Sequence, residues 1–158
     1  MWPRVLVCVD PGVTTGIAVV LLTETSIKLL EVHQWGDSDT VWEKIYSLAR
    51  YWGHGYHTMI VCESFDFRPG VVNPDYTPKF IIKDIERYIT DIEIVYQIPS
   101  SIKTLVKPAK NGNKDQLHRF NLYQRGKRHA NDAIRHAIVW ATKNRHEPTI
   151  LLGWPRKT

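Results

Sequence analysis

The chain has no run approaching the roughly 18 consecutive apolar residues that a membrane-spanning helix needs, so no membrane partner is expected. Cysteine is scarce. The two present, Cys8 and Cys62, lie inside apolar, strand-like runs and read as buried thiols of a reducing compartment, not as a disulfide framework. No internal repeat, linker or low-complexity block interrupts the sequence, and Met1-Trp2-Pro3-Arg4 leads straight into an apolar strand, unlike a secretory leader. These absences point to a cytoplasmic protein whose residues 1–158 form a single domain, long enough to bury a core without staples. With 43% apolar and 23% charged residues, the balance is globular and excludes intrinsic disorder.

Negative charge is also missing from one place. Residues 100–145 hold eleven Lys or Arg against two acids, Asp115 and Asp132. The whole chain carries only +5, so everything outside that stretch is net acidic. A basic run is often no more than a solvated face, but this asymmetry favours a polyanionic partner, nucleic acid above all.

What is present is a strong alternation of short strands and amphipathic helices. Residues 4–9, 16–22 and 27–34 read as three strands, with a polar hairpin loop at 23–26. A helix follows: Thr40 and Glu43 suggest a capping box, and Val41, Trp42, Ile45, Leu48, Ala49 and Trp52 recur at helical spacing before Gly53 and Gly55 end it. Residues 58–63 form a fourth strand. Thr77-Pro78 then reads as an N-cap with proline at the first helical position, opening a helix to about residue 90. Its stripe of Phe80, Ile81, Ile82, Ile85, Tyr88 and Ile89 is wider than one core contact requires; it fits either a well-buried helix or one that partly faces a second subunit. Residues 92–98 suggest a fifth strand and 131–143 a last helix, with 100–128 partly helical between them. The order fits an α/β layer fold with a mixed sheet. Residues 147–158, with Trp154, suggest no role.

Three acids stand at element ends: Asp10 closes the first strand ahead of the Pro11-Gly12-Val13-Thr14-Thr15-Gly16 turn, Glu63 ends the fourth, and Asp132 begins the last helix. An acid after an apolar strand is costly unless it is solvated, paired or bound to a cation. If the first and fourth strands are neighbours, Asp10 and Glu63 repel, and a hard divalent ion such as Mg²⁺ or Mn²⁺ relieves that repulsion. Taken singly, each acid can equally be a strand or helix cap. His129, three residues before Asp132, falls on the same side of a helical turn. Two ions roughly 4 Å apart can activate water and stabilise a leaving 3′ oxygen.

These residues also resemble a known family. Val9-Asp10-Pro11-Gly12-Val13-Thr14-Thr15-Gly16, Val61-Cys62-Glu63-Ser64-Phe65 and His129-Ala130-Asn131-Asp132-Ala133 are similar, in order, to the three acidic signatures of RuvC-type Holliday-junction resolvases, most of all the small bacteriophage members. The resemblance spans residues 4–145. It implies a ribonuclease H-like fold with a five-stranded mixed sheet flanked by helices, a homodimer, and hydrolysis dependent on two Mg²⁺ (or Mn²⁺) ions, leaving 5′-phosphate and 3′-hydroxyl ends. Branched DNA is the implied partner, with four-way junctions first and flaps or forks alongside, in the host cytoplasm if the protein is phage-encoded. Asp10, Glu63 and Asp132 match the metal-binding acids. His129 falls where some members carry histidine, as a metal ligand or a water-orienting base. Lys103, after Pro99-Ser100-Ser101-Ile102, and Lys114, in Asn113-Lys114-Asp115-Gln116-Leu117, resemble the family's two lysines at the scissile phosphate. Lys107, Lys110, Arg125, Lys127 and Arg128 complete a DNA-binding set.

The family often carries an aromatic just after the catalytic Glu to prop bases apart. Asp66 stands where that residue is expected. Phe65 and Phe67 share the side of Glu63 if the strand continues, as base wedges or as ordinary packing. Two other functions share parts of this pattern. An actin-like ATPase needs a second such domain and a second phosphate loop, so no nucleotide cofactor is expected. A catalytically inactive junction-binding module would not need Asp10, Glu63 and Asp132 together.

Overall fold

Valine, isoleucine and leucine crowd both faces of the central strands, the mark of strands covered on both sides. The computed structural model, which describes residues 1–66, 68–110 and 114–155, shows how the two faces are covered. Strands β1 (Arg4–Asp10), β2 (Thr15–Leu22), β3 (Ile27–Trp35), β4 (His57–Glu63) and β5 (Ile94–Gln97) form one sheet in the order β3-β2-β1-β4-β5. The β1–β2–β3 meander is antiparallel, and β4 and β5 extend the sheet parallel to β1. Helices α1 (Val41–Gly53) and α2 (Thr77–Tyr88) connect into β4 and β5. They are followed by α3 (Pro99–Leu105), a 3₁₀ turn (Gln116–Phe120), α4 (Arg128–Lys143) and α5 (Glu147–Gly153).

Side-chain alternation sorts the core into two halves. Val5, Val7 and Val9 of β1 and Ile60 and Cys62 of β4 meet α1 and α2 through Ile45, Ile81 and Ile85. Leu6 and Cys8, with Met59 and Val61, meet Ile134 and Ile138 of α4. Each such buried aliphatic side chain contributes roughly 1.5–3 kcal/mol. Continuing the same period of two puts Asp10 and Glu63 on the α4 face of the sheet, where both find α4 partners. Cys8 and Cys62 are fully buried free thiols, and burial pushes both thiols up from their usual range.

The local expectations differ from the structure where a distant group intervenes. The Thr40 hydroxyl makes no cap bond. It accepts instead from Nε1–H of Trp35 at 3.1 Å, so the expected capping box does not form. Tyr76, not Thr77, is the cap residue of α2, and Asp75 Oδ1 accepts the Thr77 N–H at 2.9 Å. β5 is shorter than residues 92–98, because Pro99 opens α3 two residues after Gln97. Helix α4 begins at Arg128, three residues early, because the Gln34 side chain from β3 caps it. Gln34 Oε1 accepts from the backbone N–H of His129 at 3.1 Å and of Ala130 at 3.4 Å. Asp132 therefore lies in the second turn of α4 and does not begin it.

The wide stripe on α2 divides. Ile81, Ile85 and Ile89 are buried, while Phe80 and Tyr88 are 61% and 44% exposed. The tail folds back as α5. A Cβ on Gly153 would stand 2.6 Å from Phe120 Cζ, and Arg119 donates to the Gly153 carbonyl at 3.2 Å. No helix among the described residues is long and apolar enough to cross a membrane.

Candidate active site

The parallel register pairs Val9 with Cys62, so Asp10 and Glu63 end adjacent strands side by side. The turn after Asp10 is held by Thr15, fully buried, whose hydroxyl donates to the Gly12 carbonyl (3.1 Å) and accepts the Gly12 N–H (3.3 Å). The chain returns with Gly16 opposite Asp10, and here glycine is required by close approach. A Cβ at Gly16 would lie 2.0 Å from the His129 carbonyl oxygen and 2.7 Å from the Ala130 nitrogen. Gln34, which caps α4, is the register partner of Gly16. One bare backbone position and one side-chain cap thus seat the first turn of α4 directly on the sheet beside Asp10.

Asp10 Oδ2 lies 3.2 Å from His129 Nδ1, and Glu63 Oε2 lies 2.8 Å from His136 Nε2. Asp132 Oδ1 accepts from Arg135 at 2.6 Å, and the same guanidinium pairs with Asp115, which is buried. The Asp10 carboxyl is pushed up to about 6, first by burial, then by the charges of Glu63 and Asp132, with His129 pulling the other way. Glu63 and Asp132 are therefore close enough to oppose the ionisation of Asp10. Each keeps one oxygen with no hydrogen-bond partner among the described residues: Oδ1 of Asp10, Oε1 of Glu63 and Oδ2 of Asp132. In this conformation no three His, Cys, Asp or Glu side chains among the described residues are arranged to hold a metal ion. The donor set fits a hard divalent cation in kind, with oxygens plus one imidazole and mutual repulsion to relieve. Convergence on an ion requires side-chain rotation.

The basic residues fall into two groups. Lys103 of α3 lines a cleft of about 460 Å³ with Lys127, Arg128, Asp132 and Arg135. Lys103 also lines an adjoining groove of about 1220 Å³ with Lys107, Lys110, Lys114 and Trp154. Arg125 is exposed and lines neither. Strand β4 stops at Glu63, so the alternation expected to carry Phe65 onward does not extend; Phe65 is half-buried, its ring 6.1 Å from that of Tyr76. Phe67 lies outside the described residues.

Sequence reasoning passed over Gln34, Gln97, Arg135 and His136. His136 had a signal, since it follows Asp132 by four residues and shares its side of the helix. Gln34 had none, because its contact spans 95 positions.

A mixed sheet ordered β3-β2-β1-β4-β5, with helices on both faces, is a ribonuclease H-like fold. Two solved structures share it over nearly their whole length. The Thermus thermophilus RuvC structure matches with a TM-score of 0.62 at 15% identity, covering 89% of this chain and 95% of that one. T. thermophilus RuvC in complex with Holliday junction substrate matches with a TM-score of 0.62 at 12% identity, covering 92% and 97%. No family model and no curated protein matches the sequence. At these identities the likeness establishes the fold alone.

Proposed function

We propose that the chain is a RuvC-type resolvase of the small bacteriophage kind, an endonuclease for Holliday junctions that also accepts other branched DNA such as flaps and forks. The observation that carries this reading is the meeting of Asp10, Glu63, His129 and Asp132 at one end of the sheet, drawn from β1, β4 and α4. A cleft lined by Lys103, Lys127 and Arg128 opens beside Asp132. The structural neighbour bound to a Holliday junction supports the substrate class.

The reaction is phosphodiester hydrolysis leaving 5′-phosphate and 3′-hydroxyl ends. Asp10, Glu63, His129 and Asp132 would hold two Mg²⁺ ions, for which Mn²⁺ would substitute. When bound, the pair supplies an activated water at neutral pH and neutralises charge on the phosphate. Asp10 orients the His129 ring through Nδ1. Lys103 and Lys114 offset charge at the scissile phosphate. Lys107, Lys110, Arg125, Lys127 and Arg128 hold the flanking backbone, so binding weakens steeply with salt. Phe65 or Phe67 stacks on bases at the crossover. The single domain works as a homodimer in the cytoplasm, one site for each strand to be cut.

The pairing of Asp132 with Arg135 favours a second reading, a module that binds junctions without cutting them. A labelled four-way junction incubated with Mg²⁺ or EDTA, beside a flap and a linear duplex, separates the two. Metal-dependent paired nicks that disappear in Asp10→Asn are expected. Binding without nicks in either Mg²⁺ or Mn²⁺ would establish the module, and wild-type cutting by Asp10→Asn would overturn the site.

A further inference from the structure

His136 has no exposed surface, yet both of its ring nitrogens are engaged by polar partners. Nε2 stands 2.8 Å from Glu63 Oε2, and Nδ1 stands 2.9 Å from the side-chain amide of Gln97. Glu63 and Gln97 are register partners at the ends of β4 and β5, so the ring bridges two neighbouring strand ends from α4. The Gln97 amide satisfies its surroundings in one orientation. Its N–H donates to Nδ1 at 2.9 Å and to the His136 carbonyl at 3.2 Å, and its oxygen accepts the Trp140 N–H at 3.2 Å. An imidazole that accepts at Nδ1 carries its proton on Nε2. The N–H aimed at Glu63 is therefore a donor, fixed by a side-chain amide that makes no hydrogen bond to Asp10, Glu63, His129 or Asp132.

We infer that His136, set by Gln97, is a positioning residue: it fixes the Glu63 carboxylate through Oε2 and leaves Oε1 to the cation. This rests on Glu63 being a metal ligand, as proposed above. A carboxylate at a strand end rotates freely about its last torsions, and ordering it on ion binding costs entropy. A buried donor that holds one oxygen removes that cost in advance, which is why hydrogen bonds to ligating groups govern metal affinity. If His136 were only a satisfied core residue, its loss would change stability and leave cation affinity alone.

The test is Mn²⁺ binding followed by electron paramagnetic resonance, alongside melting in EDTA, junction affinity in EDTA, and kcat and KM for cleavage. His136→Leu offers no donor. It is expected to bind the junction as wild type does, to bind Mn²⁺ about 10–100-fold more weakly, and to recover part of its lost kcat at high Mn²⁺. His136→Gln, which can direct an amide N–H at Glu63, is expected to regain most of the affinity. If His136→Leu does not melt cooperatively, Gln97→Met carries the test. It frees the proton to move to Nδ1, and a loss of about threefold to tenfold in Mn²⁺ affinity is expected. Wild-type Mn²⁺ affinity in the folded variant overturns the role of His136 while leaving the nuclease reading intact. A wild-type protein that binds no Mn²⁺ overturns the metal site itself, and the positioning role with it.

Discussion

At Asp10, burial and two neighbouring carboxylates act together against ionisation and push the group up to about 6 from an ordinary 3.8. A carboxyl whose folded pKa lies above its unfolded one prefers the protonated state in the fold. The metal-free protein is therefore penalised as pH rises from 3.8 through about 6, and the penalty is complete at neutrality. The Asp10→Asn variant removes the charge while keeping the size of the side chain. Allowing for the lost His129 contact, it should gain about 1–3 kcal/mol of metal-free stability at pH 7.5, with the melting temperature rising roughly 2–4 °C for each kcal/mol. At pH 4 most of the gain should vanish, since wild-type Asp10 is then protonated in the fold. Thermal melts in EDTA at the two pH values check this. An Asn variant that melts below wild type at pH 7.5 would mean that Asp10 is not crowded by Glu63 and Asp132. If the Asn variant instead melts above wild type, the same residue is costly to stability and required for cutting, as expected of a site that waits for a cation.

The element that assembles the site is α4, and its place depends on Gly16 and Gln34. Any side chain at Gly16 meets the His129 backbone, which cannot give way as a flexible side chain would. Gly16→Ala should therefore displace the first turn of α4, cost about 1–3 kcal/mol, and lower cleavage by about 100-fold, because His129 and Asp132 ride on that turn. Gly12→Ala is the control in the same loop. Its Cβ would only reach the Thr14 carbonyl at 3.4 Å, so melting and cleavage should stay near wild type. Equal losses in both variants would place the sensitivity in the turn and not in the helix contact. These elements also show what the sequence could reveal. Continuous apolar runs show the strands and set Asp10 and Glu63 at the ends of two of them, but runs buried on both faces carry no alternation, so the face each acid takes follows only from the pairing of β1 with β4. Caps made by distant residues leave no local trace. Thr40 looks like a cap and is taken by Trp35, while Gln34 looks like a strand residue and starts a helix. Likewise Asp115 and Asp132, the two acids of the basic stretch, are both bound to Arg135, a cation that composition assigns to the surface.

Across the whole molecule, the basic clefts and the exposed face of α2 belong to different sides of the architecture. The clefts are built from α3, the residues after it and α4, whereas α2 packs with α1 on the opposite face of the sheet. Phe80 and Tyr88 point away from the core that Ile81 and Ile85 occupy. Tyr88 stacks on Trp42 of α1 with ring centroids 4.4 Å apart, widening the apolar shelf. Exposed aromatics backed by a rigid helix pair are the groups that anchor interfaces. A second copy of the chain meeting this shelf would leave both basic faces open to DNA. Stable interfaces bury about 1,200–2,000 Å² in total, which two such shelves can approach only with neighbouring residues included. Light scattering at micromolar concentration should give twice the chain mass, and Phe80→Glu should give the monomer without disturbing the buried Ile81 and Ile85. The monomeric variant should bind Mn²⁺ normally and still nick junctions, but its paired, opposed cuts should become single, unpaired ones. A monomeric wild type would remove α2 from any assembly. A dimer that survives Phe80→Glu would move the contact to another surface.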